Sequence, residues 1–471
     1  MDAEDAAPAS AAAPPASDAA EEELVGEPVK MTFPQRVDLY GFPLLREEFR
    51  QFTEVAEESR RKNEAAALEV EKLWAKRYEA KKRAAEATVK AQEKAAAKAA
   101  ASPPAAKANP LKALERVLTP PKLEVPSYLA HGLSMLSGTN RPLAIVAMDI
   151  ASGIDIELKE LCRRGIPPAM RPQLWFQLSG GAVWADKAGA TVYSDLLQLS
   201  ALEETEGGLG AGLKAQIEKD IARTYPDHAI LGTADGHSIL RRVLHVFAMF
   251  NEIGYCQGLN YIAGFLLAVL DYKEVEVFWI MTALAEDRLY PGTWGQDLTG
   301  ARVEMETLAS LLKQKHPDLA AHLDDLGFNV SMVAADWFLT VFTKNLPQET
   351  CARVWDSVLS EGPKVIFRVA LVLLQTQKAL LLQAKELNQV LHVLHIVQNS
   401  QHDRDMLMQE AFERIPNFPL KAISKYRKQS AEEVESHTEV KAAKRSKLLS
   451  FAREKKLIRV SDGDEFADIR L

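Results

Sequence analysis

The chain has 471 residues, enough for one large domain or two smaller ones with extensions. Its formal net charge of -8 gives no overall electrostatic reason to seek nucleic acid, so any basic surface has to be local. Three cysteines, Cys162, Cys256 and Cys351, are too few and too scattered for a disulfide framework or a zinc-binding pair, which points to a reducing compartment.

The opening MDAEDAAPAS is acidic and lacks the basic start and apolar centre of a signal peptide. Residues 1–30 hold almost no large apolar side chains, so burial cannot offset their conformational entropy and disorder is expected. A small apolar patch follows in MTFPQRVDLYGFPLL (31–45), where Phe33, Val37, Leu39, Tyr40, Phe42, Leu44 and Leu45 are available for docking. From about Arg46 to Ala99, Ala, Glu, Lys and Arg dominate, and their propensities predict one long helix. Its apolar positions Leu68, Val70, Leu73, Trp74 and Tyr78 sustain no heptad, so a solvated single helix fits better than a coiled coil. Clustered prolines then make 101–157 a linker and lead-in.

From 158 to 385 the texture is apolar at helical spacing, punctuated by Gly and Pro. Ile239, Leu240, Val243, Leu244, Val246, Phe247 and Phe250 recur at three- and four-residue steps, with Ser238 placed as their N-cap. Similar runs cover Leu259–Leu270, Glu274–Ala285, Val303–Lys315, Met332–Thr343, Gln348–Leu359 and Val365–Leu381. Strand-like alternation is nowhere sustained, which predicts an all-α domain. Even Leu259–Leu270 falls short of the ~20 residues a membrane span needs, and a cytoplasmic protein is expected. Further helices over 386–425 complete or flank the domain, and 426–471 reads as a basic, flexible tail. Residues 421–460 carry 12 Lys or Arg against 5 Glu, which suits either a solvated tail or peripheral attraction to anionic lipid.

Two apparent motifs fail. GGLGAGLK (207–214) lacks the Gly-Lys-Ser/Thr ending and the preceding strand of a phosphate loop, so it reads as an interhelical loop. His392, His395 and His402 have no HExxH frame or carboxylate partner and read as surface or packing residues. The chain therefore offers no cofactor site of its own.

Two positions could do chemistry. In QIEKDIARTYPDH (216–228), Ile217 and Ile221 anchor one helical face while Asp220 and Arg223 share another. Pro226 should end this helix just after Thr224, leaving Arg223 on the last turn with its side chain free to project. Read alone, this is a helix-terminal Arg paired to Asp220. In NEIGYCQGLNY (251–261), Gly254 and Gly258 bracket Tyr255, Cys256 and Gln257 in a tight turn between apolar helices. Read alone, this is an interhelical turn whose Gln can orient a water.

Together these segments resemble the TBC domain of Rab GTPase-activating proteins, whose ordered signatures are Arg-x-x-x-Trp, Ile-x-x-Asp-x-x-Arg and Tyr-x-Gln. They stand here as Arg171 and Trp175, then Ile217, Asp220 and Arg223, then Tyr255 and Gln257, with DWFLTVF and VWDSVLSEGP similar to the family's later helices. The resemblance covers about 158–380. It implies an all-α TBC fold whose Arg223 enters the nucleotide site of a GTP-bound Rab-family GTPase as an arginine finger, while Gln257 positions the attacking water. GTP and Mg²⁺ then belong to the partner. Asp220 holds the finger, Arg171 and Trp175 brace the domain, and Tyr255 packs beneath the loop or faces the GTPase. The rival reading is a scaffold that binds the GTPase without accelerating hydrolysis.

Overall fold

Apolar faces at helical spacing bury themselves only against one another, and here that packing builds an all-α body. The computed structural model describes residues 37–43, 53–100, 156–201, 209–415, 418 and 420–436. In chain order the helices are α1 (Thr53–Ala100), α2 (Ile156–Arg164), α3 (Arg171–Ser179), α4 (Gly181–Ala188), α5 (Val192–Ser200) and α6 (Ala211–Ile221). They continue with α7 (Ala234–Phe250), α8 (Leu259–Val269), α9 (Glu274–Ala283), α10 (Thr299–Lys315), α11 (Pro317–Asp325) and α12 (Ser331–Thr340). Last come α13 (Gln348–Glu361), α14 (Lys364–Thr376), α15 (Lys378–Gln383), α16 (Leu387–Asn399), α17 (Arg404–Glu413) and α18 (420–436). Among the described residues there is no β-strand, only an isolated bridge between Val37 and Pro43.

The centre is α8, α13 and α14. In α8 every residue except Tyr261 is buried, and α14 is buried without a break from Val365 to Leu374. A helix apolar on all sides needs neighbours on all sides, and α8 has α6, α7, α9 and α12 around it. Trp175 of α3 stacks on Trp355 of α13 with centroids 5.7 Å apart, and Phe265 of α8 packs against both. One buried carboxylate of α13 ties α3 and the end of α2 to that helix. Asp356 receives Arg171 Nε at 3.0 Å and Nη2 at 2.9 Å, Trp175 Nε1 at 2.8 Å, and the Ile166 amide at 2.9 Å.

Away from the candidate site, the structure departs from the sequence reading at four places. The first half of α1 is packed rather than solvated: the Trp74 indole donates to the Gly165 carbonyl at 2.8 Å, buried Arg77 pairs with Glu157, and Asn63 donates to the His402 carbonyl at 3.0 Å. Its packed stripe, Ala56, Ser59, Asn63, Trp74 and Arg77, is largely polar, and a search for apolar spacing passes over it. α7 starts at Ala234, where Thr233 Oγ1 caps the Gly236 amide, so Ser238 lies inside the helix. The run expected over Val365–Leu381 breaks at Gln377 into α14 and α15. Finally, α18 carries the chain as helix to 436, with Arg427 paired to Glu304 and Ser430 and Val434 buried, so 426–436 is no flexible tail. The disorder expected for 1–30, most of the linker and the tail from 437 lie outside the described residues.

Candidate functional site

The helix bearing Asp220 and Arg223 ends earlier than Pro226 alone predicts. α6 stops at Ile221, and the chain tightens into i→i+3 turns, with Arg223 N donating to Asp220 O at 3.3 Å and Thr224 N to Ile221 O at 3.0 Å. Tyr225, next to Pro226, takes a left-handed φ of 46°, which swings the chain away from the helix axis. Arg223 thus sits just past the helix end, on a bend.

The bend is held from beneath by a buried carboxylate. The Arg223 guanidinium donates through Nη2 to Asp220 Oδ1 at 2.6 Å; its side chain is 50% exposed while that of Asp220 is 6% exposed. Tyr255 Oη donates to the other oxygen, Oδ2, at 2.6 Å. Asp220 thereby joins the arginine segment to the Tyr-x-Gln segment 35 positions later. Burial, then the neighbouring Asp220, push the Tyr255 hydroxyl far above its ordinary range, so it stays a proton donor at any working pH.

Asn260, at the start of α8, completes the join. Its Nδ2 donates to Thr224 Oγ1 at 2.7 Å and to the Asp220 carbonyl at 3.4 Å, while its Oδ1 accepts the Gly258 amide at 3.1 Å. Gly258, with φ 113°, turns the chain into α8 and lies so close to α12 that a Cβ would meet Thr340 Cγ2 at 3.2 Å. This turn leaves Gln257 exposed, two residues after the buried Tyr255, and its side chain bonds to no other described residue. Cys256 is half-buried, and burial first, then Asp220, push its thiol up to about 11, which removes it as a nucleophile at neutral pH.

Beside Arg223 opens a cleft of about 310 Å³. Tyr225, Pro226, Tyr261, Lys344 and Gln348 line it, together with Phe42 and Pro43 from far upstream. Of the residues singled out in the sequence, Asp220, Arg223 and Tyr255 form one hydrogen-bonded unit, with Gln257 on the adjoining turn. Arg171 and Trp175 are fully buried and meet at Asp356 instead. His392 and His395 are exposed and His402 is buried, its imidazole pushed down to about 4 by desolvation. Asn260, Thr224 and Asp356 are the connecting residues that the sequence reading left without a role. An Asn in the otherwise apolar LNYIAGFLLAV was a signal, because a buried amide has to have partners.

A Rab-GTPase-TBC domain model matches residues 168–382. TBC1 domain family member 2A of Mus musculus is 34% identical over 283 residues, covering 59% of this chain and 30% of that protein. Growth hormone-regulated TBC protein 1 of Homo sapiens is 32% identical over 231 residues, covering 48% of this chain and 66% of that protein. The chain thus spans under a third of the mouse relative's length. Among solved structures, the flagellar RabGAP TBC domain of Chlamydomonas is 35% identical with a TM-score of 0.50, over 55% of this chain and 85% of that one.

Proposed function

Because the chain belongs to the Rab-GTPase-TBC domain family, we propose that it accelerates GTP hydrolysis by a Rab-type small GTPase, with Arg223 and Gln257 acting in trans on the partner's nucleotide. The observation that carries this reading is the half-exposed Arg223 guanidinium held on the buried Asp220 carboxylate, which Tyr255 locks from the other side. Phosphoryl transfer is catalysed mainly by positioning and by offsetting charge on the transferring group, and a permanently charged, forked donor suits that task. In the free protein the guanidinium spends one donor on Asp220. Its remaining donors are available for the γ-phosphoryl oxygens as charge builds between attacking water and leaving diphosphate. Gln257 offers a carbonyl to accept from that water and an amide to bond the partner. The nucleotide and its Mg²⁺ belong to the GTPase, and Arg171, Trp175 and Asp356 act through the fold.

The test is a panel of GTP-loaded Rab proteins assayed for phosphate release with and without this protein. Stimulation of at least one, abolished by Arg223→Ala, supports the reading. Tight binding of a GTP-loaded Rab with no stimulation assigns the protein to the scaffold class instead.

A further inference from the structure

The arginine bend is clamped from a second side. Tyr225, two residues after Arg223, holds a left-handed φ of 46°, a conformation that a non-glycine residue keeps only where the surroundings enforce it. Its hydroxyl donates to the Thr343 carbonyl at 2.8 Å, and its ring meets Tyr261 edge-on at 5.4 Å. The third wall is Phe42, fully buried, edge-on to Tyr225 with centroids 4.8 Å apart and to His228 at 4.5 Å. His228 belongs to the same bend. Its Nδ1 accepts the Ile230 and Leu231 amides at 3.0 Å, which places the proton on Nε2, and Nε2 donates to the Tyr40 carbonyl at 2.8 Å.

The segment Val37–Pro43 is built to press there. Asp38 Oδ1 accepts the Tyr40 amide at 2.9 Å and the Phe42 amide at 3.0 Å, folding the segment into a tight loop. Tyr40 Oη bonds Arg171, so the loop is moored to the buried Arg171–Asp356 pair, and the Leu39 amide reaches Glu349 at 3.3 Å. At Gly41 a Cβ would lie 3.2 Å from the His228 ring, so the loop approaches as closely as its backbone allows. None of these loop residues lies in the matched stretch 168–382.

We propose that the Val37–Pro43 loop is a positioning element for Arg223, with Phe42 acting through Tyr225 and His228 to hold the bend that presents the guanidinium. This rests on the activator reading above. The buried Phe42 ring spends its surface on the bend, against Tyr225 and His228.

The full-length parent, Phe42→Ala, Phe42→Leu, Arg223→Ala and the Phe42→Ala/Arg223→Ala double variant are assayed on the Rab protein the parent stimulates best. Phe42→Ala is expected to lower kcat by about tenfold with KM within about twofold, and Phe42→Leu to recover most of the loss. In the Arg223→Ala background Phe42→Ala is expected to cost nothing further, since a residue acting through the finger has no effect once the finger is gone. Independent multiplicative losses, or a rise in KM with kcat kept, overturn the proposal. A second readout needs no GTPase: amide exchange over 222–232 is expected to quicken about tenfold or more in Phe42→Ala while α10 and α14 keep their protection. Unchanged exchange there overturns the proposal even if the parent stimulates no Rab protein, an outcome that by itself sinks only the activator reading.

Discussion

Arg171 and Asp356 form a two-pronged ion pair, at 3.0 and 2.9 Å, in which both side chains are cut off from solvent. Burial alone would drive the guanidinium towards neutrality, and Asp356 with Tyr40 more than reverses that. Breaking one partner of such a pair strands the other as an uncompensated buried charge, at a cost of about 3–5 kcal/mol. Asp356→Asn is therefore expected to lower unfolding stability by that amount, read by urea denaturation followed through tryptophan fluorescence. A loss below about 1 kcal/mol would show that the pair does not hold α3 to α13.

The finger residues should behave differently. Arg223 is half-exposed and the buried Asp220 keeps its Tyr255 donor, so Arg223→Ala should lower the melting temperature by only a few degrees while the stimulated rate falls by about 10³-fold. Arg223→Lys should recover little of it, because an ammonium keeps the charge but not the fork. Gln257→Ala should lower the stimulated rate as well, with capture of the GTP-loaded partner less affected. Stopped-flow phosphate release at saturating activator separates rate from capture, and wild-type rates in Arg223→Ala would overturn the assignment.

Gly258 sets the turn that presents Gln257. A Cβ there would be strained at φ 113° and crowded against Thr340, so Gly258→Ala should cost roughly 1–3 kcal/mol. It should also lower the stimulated rate more than Gly212→Ala, where nothing lies within 4 Å of the added carbon. Equal effects of the two substitutions on melting and rate would show that the turn tolerates movement.

Docking of the 37–43 loop should depend on pH. Desolvation first, then the Glu349 carboxylate, hold the Asp38 carboxyl up to about 7 against an unfolded value near 3.8. The folded state then keeps its proton longer, so this group's contribution is complete below about pH 4 and is lost as pH rises to about 7. His228, lowered by burial, runs the other way, losing its contribution as pH falls below its ordinary 6.5. Arg60, Glu349 and His402 line the small cavity next to Asp38, with Arg404 paired to Glu349. The difference in melting temperature between Asp38→Asn and the parent isolates the carboxyl: the variant should gain relative to the parent as pH rises from 4 to 8. A difference that stays flat would mean that Asp38 is solvated.

Much of this was legible in the chain itself. Apolar spacing alone marks α8 and α14, because a helix buried on all sides has almost no polar positions to obscure it. The trio Asp220, Arg223 and Tyr255 was legible as spaced motifs, and its geometry follows from a helix end meeting a glycine-bracketed turn. What stayed hidden depends on contacts distant in sequence. Asp356 lies 185 positions from Arg171, and nothing local marks it as the acceptor of that guanidinium. Phe42 and Tyr40 read only as a patch with something to dock on; the target, a bend nearly 190 residues downstream, exists only once the helices have packed. The early stop of α6 was missed because the Tyr225 conformation, enforced from three sides, overrides the local preference of Pro226.

Helix α1 has one more consequence. Its first half is pinned by Asn63, Trp74 and Arg77, whereas Arg83, Ala84, Glu86, Ala87, Lys90, Ala91 and Lys94 all face water. From Arg83 to Lys94, roughly 17 Å of helix, the described side chains make a solvated strut. The pinned turns already bear the costly nucleation step, so each outer residue has only to propagate the helix. The strut should consequently unwind from its tip inwards, gradually and at temperatures where the helical body is intact. Its effective length becomes a function of temperature: whatever is joined at Ala100 rides on a spacer that shortens its rigid reach as it warms.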